Sequence, residues 1–183
     1  MAYLAATSTL YIHMNDVYAQ HNWTIDPVHS SIRFGVKYLE LTVITGWFSE
    51  FEGTLNGGFQ GGSLWVNIYT HSIFTGNAIR DAHLRSTEFF ESDRFPSIVY
   101  QSTQLTLKDN QVHTTGSLTI KDTTQNFKTE SLITGIRADE RGNIKAGVVT
   151  VTRINRNAFG IGSGGMIIAE EVYLHCDIQL LQV

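Results

Sequence analysis

One cysteine and two prolines in 183 residues leave this chain few covalent or conformational staples. With Cys176 alone, an intrachain disulfide is excluded. Cys176 falls in the alternating run Val172, Leu174, Cys176, Ile178, Leu180, where it reads as a small apolar residue and not as a catalytic thiol. Clustered basic residues are missing as well. Thirteen Lys and Arg against seventeen Asp and Glu give a net charge of −4, which removes the electrostatic footprint of a nucleic-acid binder. A general affinity for anionic membrane surfaces is not indicated either. No segment reaches the roughly 18 apolar residues of a membrane-spanning helix.

Motifs of catalysis and metal binding are also scarce. The seven histidines (13, 21, 29, 71, 83, 113 and 175) include no H-E-x-x-H or H-x-H pair, and none has a Cys or carboxylate at ligand spacing. His29, His71, His83 and His175 would meet only if strands brought them together. The stretch Gly160-Ile161-Gly162-Ser163-Gly164-Gly165 lacks the Lys-Ser/Thr of a phosphate-binding loop and is followed by no helical pattern, so it reads as a hairpin loop. There is no Gly-x-Ser-x-Gly elbow. Glu50 and Glu52 read as solvated acids. The expectation is therefore no catalytic residue, no metal site and no cofactor. Residues 1–22 lack the basic start and sustained apolar core of an export signal, with Val17-x-Ala19 as a weak cleavage site. They read as an N-terminal extension or an atypical leader, ahead of one domain over 23–183.

What the chain has in quantity is glycine, aromatics and alternation. Sixteen Gly suit many tight reversals, and ten Phe, seven Tyr and three Trp are at home in strands. After the turn initiator Asp26-Pro27, Ile32, Phe34, Val36 and Tyr38 alternate with Ser31, Arg33, Gly35 and Lys37, which places the apolar set on one face of a sheet. Similar segments run from Trp47 to Leu55, Leu64 to Thr70, Ile98 to Leu107, Val112 to Ile120, Phe127 to Ile136, Asn143 to Thr152 and Val172 to Leu181. Lys108-Asp109-Asn110 and Asp139 to Gly142 join neighbours as hairpins. In Leu64 to Tyr69 both faces are apolar, so the inward face is undetermined. About eight strands result, and an eight-stranded closed barrel leaves room for one small ligand. A helical segment is expected near 77–92, with Ser86 as an N-cap ahead of Glu88 and a short helical turn before it. Phe89 and Phe90 then have two readings, as ordinary core plugging the barrel end or as part of a lid.

The motifs in this order resemble those of the YceI-like family of bacterial proteins. Trp23-x-Ile25-Asp26-Pro27-x-His29-Ser30 is similar to its opening motif, and Gly46-x-Phe48-x-x-Phe51-x-Gly53 to its second. The longest match is Asp81-x-His83-Leu84-Arg85-Ser86-x-Glu88-Phe89-Phe90-Glu91, running into Phe95-Pro96-x-Ile98-x-Tyr100-x-Ser102. Gly116-x-Leu118-Thr119-Ile120-Lys121 and Asn155-Arg156-x-x-Phe159-Gly160 follow. Tyr38 stands where the family usually has His, and Asp122 where it usually has Gly. The resemblance implies an all-β, antiparallel, lipocalin-like barrel that binds a polyisoprenoid lipid, an isoprenoid quinone or an isoprenyl phosphate, without catalysis. It further implies export to the periplasm or outside the cell, a homodimer, and transient membrane contact for lipid exchange. With a native N-terminus the chain would instead be cytoplasmic.

The expected apolar lining starts with Ile32, Phe34, Val36 and Tyr38, then Phe48 and Phe51, then Leu64, Val66 and Ile68. Phe89, Phe90, Ile98, Tyr100, Leu118, Ile120 and Phe159 complete it. A five-carbon isoprene unit buried there contributes roughly 4 kcal/mol at about 0.8 kcal/mol per CH₂, so apolar area is ample. His29, Arg85 and Arg156 are the head-group candidates, with a second reading of His29 and Arg85 as ties between the opening turn and the helical segment. Two other functions remain open: an enzyme acting on a small hydrophobic substrate in the same cavity, and an interaction module with an exposed apolar patch.

Overall fold

Alternation over short segments builds a closed antiparallel β-barrel. The computed structural model describes residues 21–162 and 167–183; the expected extension at 1–20 and residues 163–166 of the glycine-rich loop lie outside the described residues. The strands are β1 (Trp23–Ile25), β2 (Ser31–Tyr38), β3 (Thr42–Phe48), β4 (Phe51–Asn56), β5 (Ser63–Tyr69), β6 (Ile73–Phe74), β7 (Ser97–Lys108), β8 (Gln111–Ile120), β9 (Thr123–Ala138), β10 (Ile144–Asn155) and β11 (Ile168–Gln182). Eight of them form a ring in the order β1-β4-β5-β7-β8-β9-β10-β11, and β11 pairs back onto β1 through Trp23–Gln182 and Ile25–Leu180. Above this ring β2, β3 and β6 continue the wall, β2 resting on the N-terminal half of β11. Closure leaves no sheet edge in the ring.

Corners let the first strands turn from ring to upper wall. At the first, Asp26 caps a 3-10 turn (Pro27–His29): its carboxylate accepts the Val28 N–H at 3.0 Å and lies 2.7 Å from His29 Nδ1. Gln179 of β11 holds the same carboxylate at 2.8 Å, and its carbonyl accepts the Asp26 N–H at 2.8 Å. At the second corner the expected continuous strand Trp47 to Leu55 is broken between β3 and β4. Residues three apart on an unbroken strand face opposite ways. The bend at Ser49 and Glu50 resets the phase, so Phe48 and Phe51 are both buried. Gly46 lets the sheet close here, because a Cβ would lie 2.5 Å from the Phe34 ring and 2.7 Å from the Phe74 carbonyl.

Hairpins alternate between two ends. The end formed by the β4–β5, β7–β8 and β9–β10 connections is packed shut by Trp23, Leu55, Phe59, Leu105, Val112, Ala146 and Leu180, all buried. Trp23 and Phe59 touch with ring centroids 5.7 Å apart. At the other end the β6–β7 connection folds over the opening and contains helix α1 (Ala78–Arg85). Asn77 caps α1 by accepting the Arg80 N–H, and buried Asp81 accepts the Thr75 N–H at 2.9 Å. This corrects the expectation for Ser86, which ends α1 instead of starting a helix: its N–H and hydroxyl both donate back to the His83 carbonyl. The residues after it, through Phe90, form turns.

Candidate functional site

The inward side chains do not meet at the barrel axis, and the space between them is a cavity of about 590 Å³. Along β2, β5, β7 and β8 the lining follows the alternation of the sequence. Ile32, Phe34, Val36, Tyr38, Leu64, Val66, Ile68, Ile98, Tyr100, Leu118 and Ile120 all border the cavity, as do Phe48 of β3 and the turn residues Phe89 and Phe90. The even residues of 64–69 face in. Trp65 sits on the outer phase, paired with Thr54 and Gln101.

Four expected site residues lie elsewhere. Phe51 and Phe159 are buried in the wall and in the turn after β10, away from the cavity. The Phe159 turn is tied to the β8–β9 hairpin by Gln125 donating to the Ala158 carbonyl at 2.8 Å. His29 sits outside on its corner, largely exposed, with its ring engaged by Asp26. Arg85 donates to the Ile73 carbonyl at 3.4 Å and ties α1 to β6. The helix register explains the last miss. Arg80, His83 and Leu84 share the cavity-facing stripe of α1, at spacings of three and four, and Arg85 falls one position beyond it.

Arg156 does reach the mouth. Its guanidinium is buried and donates to the carbonyls of Ala169 at 2.9 Å, Ile161 at 2.7 Å and Ile168 at 2.9 Å, which fixes the β10–β11 connection beside the opening. That connection docks on the helical segment: the Gly162 N–H donates to the Glu88 carbonyl. Gly162 has φ +69°, and a Cβ on it would lie 2.8 Å from the Phe89 ring, so only glycine fits. His83 Nε2 and a Glu88 carboxylate oxygen lie 2.7 Å apart on the exposed edge, with the His83 ring edge-on to Phe89 at 4.9 Å. Arg80, bound to the Thr75 hydroxyl and carbonyl, completes the polar rim.

Sequence reasoning missed a polar element inside. Thr114, Thr129, Ser131, Thr150 and Thr152 line the cavity together with Cys176 and Phe127. The Tyr100 hydroxyl lies 2.6 Å from Thr114 Oγ1, which lies 2.7 Å from Thr129 Oγ1, and Ser131 Oγ lies 2.7 Å from Thr150 Oγ1. Burial raises the Tyr100 pKa against the opposing hydrogen bonds of Thr114 and Thr129. Burial also pushes the Cys176 thiol up to about 12, with the Asp177 charge adding to it. Both groups are neutral around pH 7. Among the described residues no three His, Cys, Asp or Glu side chains gather as metal ligands, and no helix is long and apolar enough to cross a membrane.

Residues 23–180 match the model of the YceI-like domain. A UPF0312 protein of Shewanella denitrificans is 33% identical over 137 residues, covering 73% of this chain and 72% of that protein. The solved structure of BcnA from Burkholderia cenocepacia superposes with a TM-score of 0.76 at 21% identity, covering 85% of this chain and 98% of that one. A polyisoprenoid-binding domain from Saccharophagus degradans, implicated in plant cell wall breakdown, superposes with a TM-score of 0.73 at 13% identity and covers 88% and 98%. The chain belongs to the YceI-like family.

Proposed function

We propose that this member of the YceI-like family binds a polyisoprenoid lipid, an isoprenoid quinone or isoprenyl phosphate, inside its barrel and sequesters or carries it without chemical change. The cavity carries this reading: about 590 Å³, almost wholly apolar, shut at one end and reached from the other. That volume falls within the roughly 300–1,000 Å³ of small-molecule sites. The fold shared with a polyisoprenoid-binding domain supports the ligand class. Burial holds the interior Tyr100 and Cys176 protonated, so neither supplies a base or nucleophile at neutral pH.

Apolar side chains beside the opening support exchange with a membrane. Leu39 and Leu41 at the β2–β3 tip and Ile167 beside it are 48%, 82% and 55% exposed, and Leu39 and Ile167 are joined by a backbone hydrogen bond of 2.7 Å. This apolar edge on one side of the otherwise polar rim gives the tail a path that avoids water. The test is transfer of an isoprenoid quinone from donor vesicles to acceptor vesicles. The protein should accelerate transfer in proportion to its concentration, and transfer at the protein-free rate would contradict the reading.

A further inference from the structure

The lower half of the cavity carries chemistry that an apolar tail does not call for. Tyr100, Thr114, Thr129, Ser131 and Thr150 come from the four successive strands β7, β8, β9 and β10, and all line the cavity. They belong to the inward phase: Val112, Thr114, Gly116, Leu118 and Ile120 alternate on β8, and Ala146, Val148, Thr150, Thr152 and Ile154 on β10. Only Val112 separates Thr114 from the closed-end turn of the β7–β8 hairpin. A valine would fill each threonine position without the penalty of burying a hydroxyl.

Cross-strand bonding accounts for the contacts between these hydroxyls but not for all their protons. Each hydroxyl offers one proton and two acceptor positions. Tyr100, Thr114 and Thr129 share two hydrogen bonds, which leaves one proton of the three uncommitted. Ser131 and Thr150 share one, which leaves another. The basic residues bordering the cavity, Arg80 and Arg156, belong to the helical segment and the β10–β11 connection at the opposite end. The deep site therefore offers neutral donors and no cation, which matches a neutral carbonyl oxygen and not a phosphate.

We infer that the hydroxyl belt of Tyr100, Thr114, Thr129, Ser131 and Thr150 is the subsite for a neutral carbonyl-bearing lipid end, such as a quinone, which enters first and leaves the tail in the apolar upper half. This rests on the carrier reading above and specifies its ligand class and orientation. The test uses the full chain, stripped of lipid, with three probes of equal isoprenoid length: a quinone, a monophosphate and a hydrocarbon, each titrated calorimetrically. The quinone should bind about tenfold tighter than the hydrocarbon, the worth of one or two net hydrogen bonds. In Thr114→Val/Thr129→Val/Thr150→Val that gap should close while hydrocarbon binding is retained, and Arg80→Gln should leave the gap intact. Should the triple variant fail to fold by circular dichroism, Thr150→Val alone should narrow the gap about threefold. Quinone and hydrocarbon bound equally by the wild type would overturn the orientation, as would a gap that survives the folded variant. A phosphate preference that disappears in Arg80→Gln would place the head at the mouth and overturn it too. Binding of none of the three probes would instead overturn the carrier reading, and the orientation with it.

Discussion

The two ends of this barrel are made from the same alternating strands, yet one is a core and the other a container. At the closed end the inward positions carry bulk that meets across the axis: Trp23, Leu55, Phe59 and Leu105, each 3% exposed or less. Toward the open end Val36, Ile44 and Ile154 face the cavity and keep part of their surface uncovered. Inward alternation thus defines a wall, and what the wall encloses depends on residues that arrive from outside the alternating pattern. Phe59, from the β4–β5 connection, fills the bottom against Trp23, whereas α1 and the Arg156-anchored connection roof the top without filling it.

Substitutions that shorten a side chain should break the two ends unequally. Trp23→Ala removes packed atoms away from the cavity and leaves a void, so urea unfolding should show a loss of about 3–5 kcal/mol. Val36→Ala enlarges a space that already exists and should cost only about 1 kcal/mol, essentially the transfer term. Equal losses at the two sites would mean that the upper barrel is packed as a core.

A smaller effect sharpens the same contrast from the thiol side. Cys176 borders the cavity with its pKa pushed up to about 12, first by burial and then by Asp177. At pH 8 its alkylation by iodoacetamide should run about a thousandfold slower than that of a free thiol, because the thiolate is the reactive form. An isoprenoid ligand should slow it further. Alkylation at the free-thiol rate, indifferent to added lipid, would contradict this placement.

Much of the wall was legible because period-two alternation is a local property. Ile32 to Tyr38 announce their inward face without reference to the rest of the chain, and the hairpins at Asp109-Asn110 and 139–142 follow from local turn chemistry. The corners were not legible. Phe51 needs the Ser49–Glu50 bend, which is set by bonds to Tyr69 at the end of β5 and to Ser72 in the 3-10 turn after it. Arg80 in place of Arg85 depended on where α1 starts, and the Gly76-Asn77 turn decides that. The hydroxyl belt went unread because Thr and Ser look like outward residues. Their phase with Val112, Leu118 and Ile120, or with Ala146 and Val148, was the signal that would have found them.

Whether the cavity holds an isoprenoid lipid is decided by mass spectrometry of an organic extract of the natively purified protein. A polyisoprenoid is expected near one equivalent per chain, enriched over its share of the cell's lipid extract. An extract without isoprenoid, from protein that also takes up none when mixed with isoprenoid-containing vesicles, would contradict it.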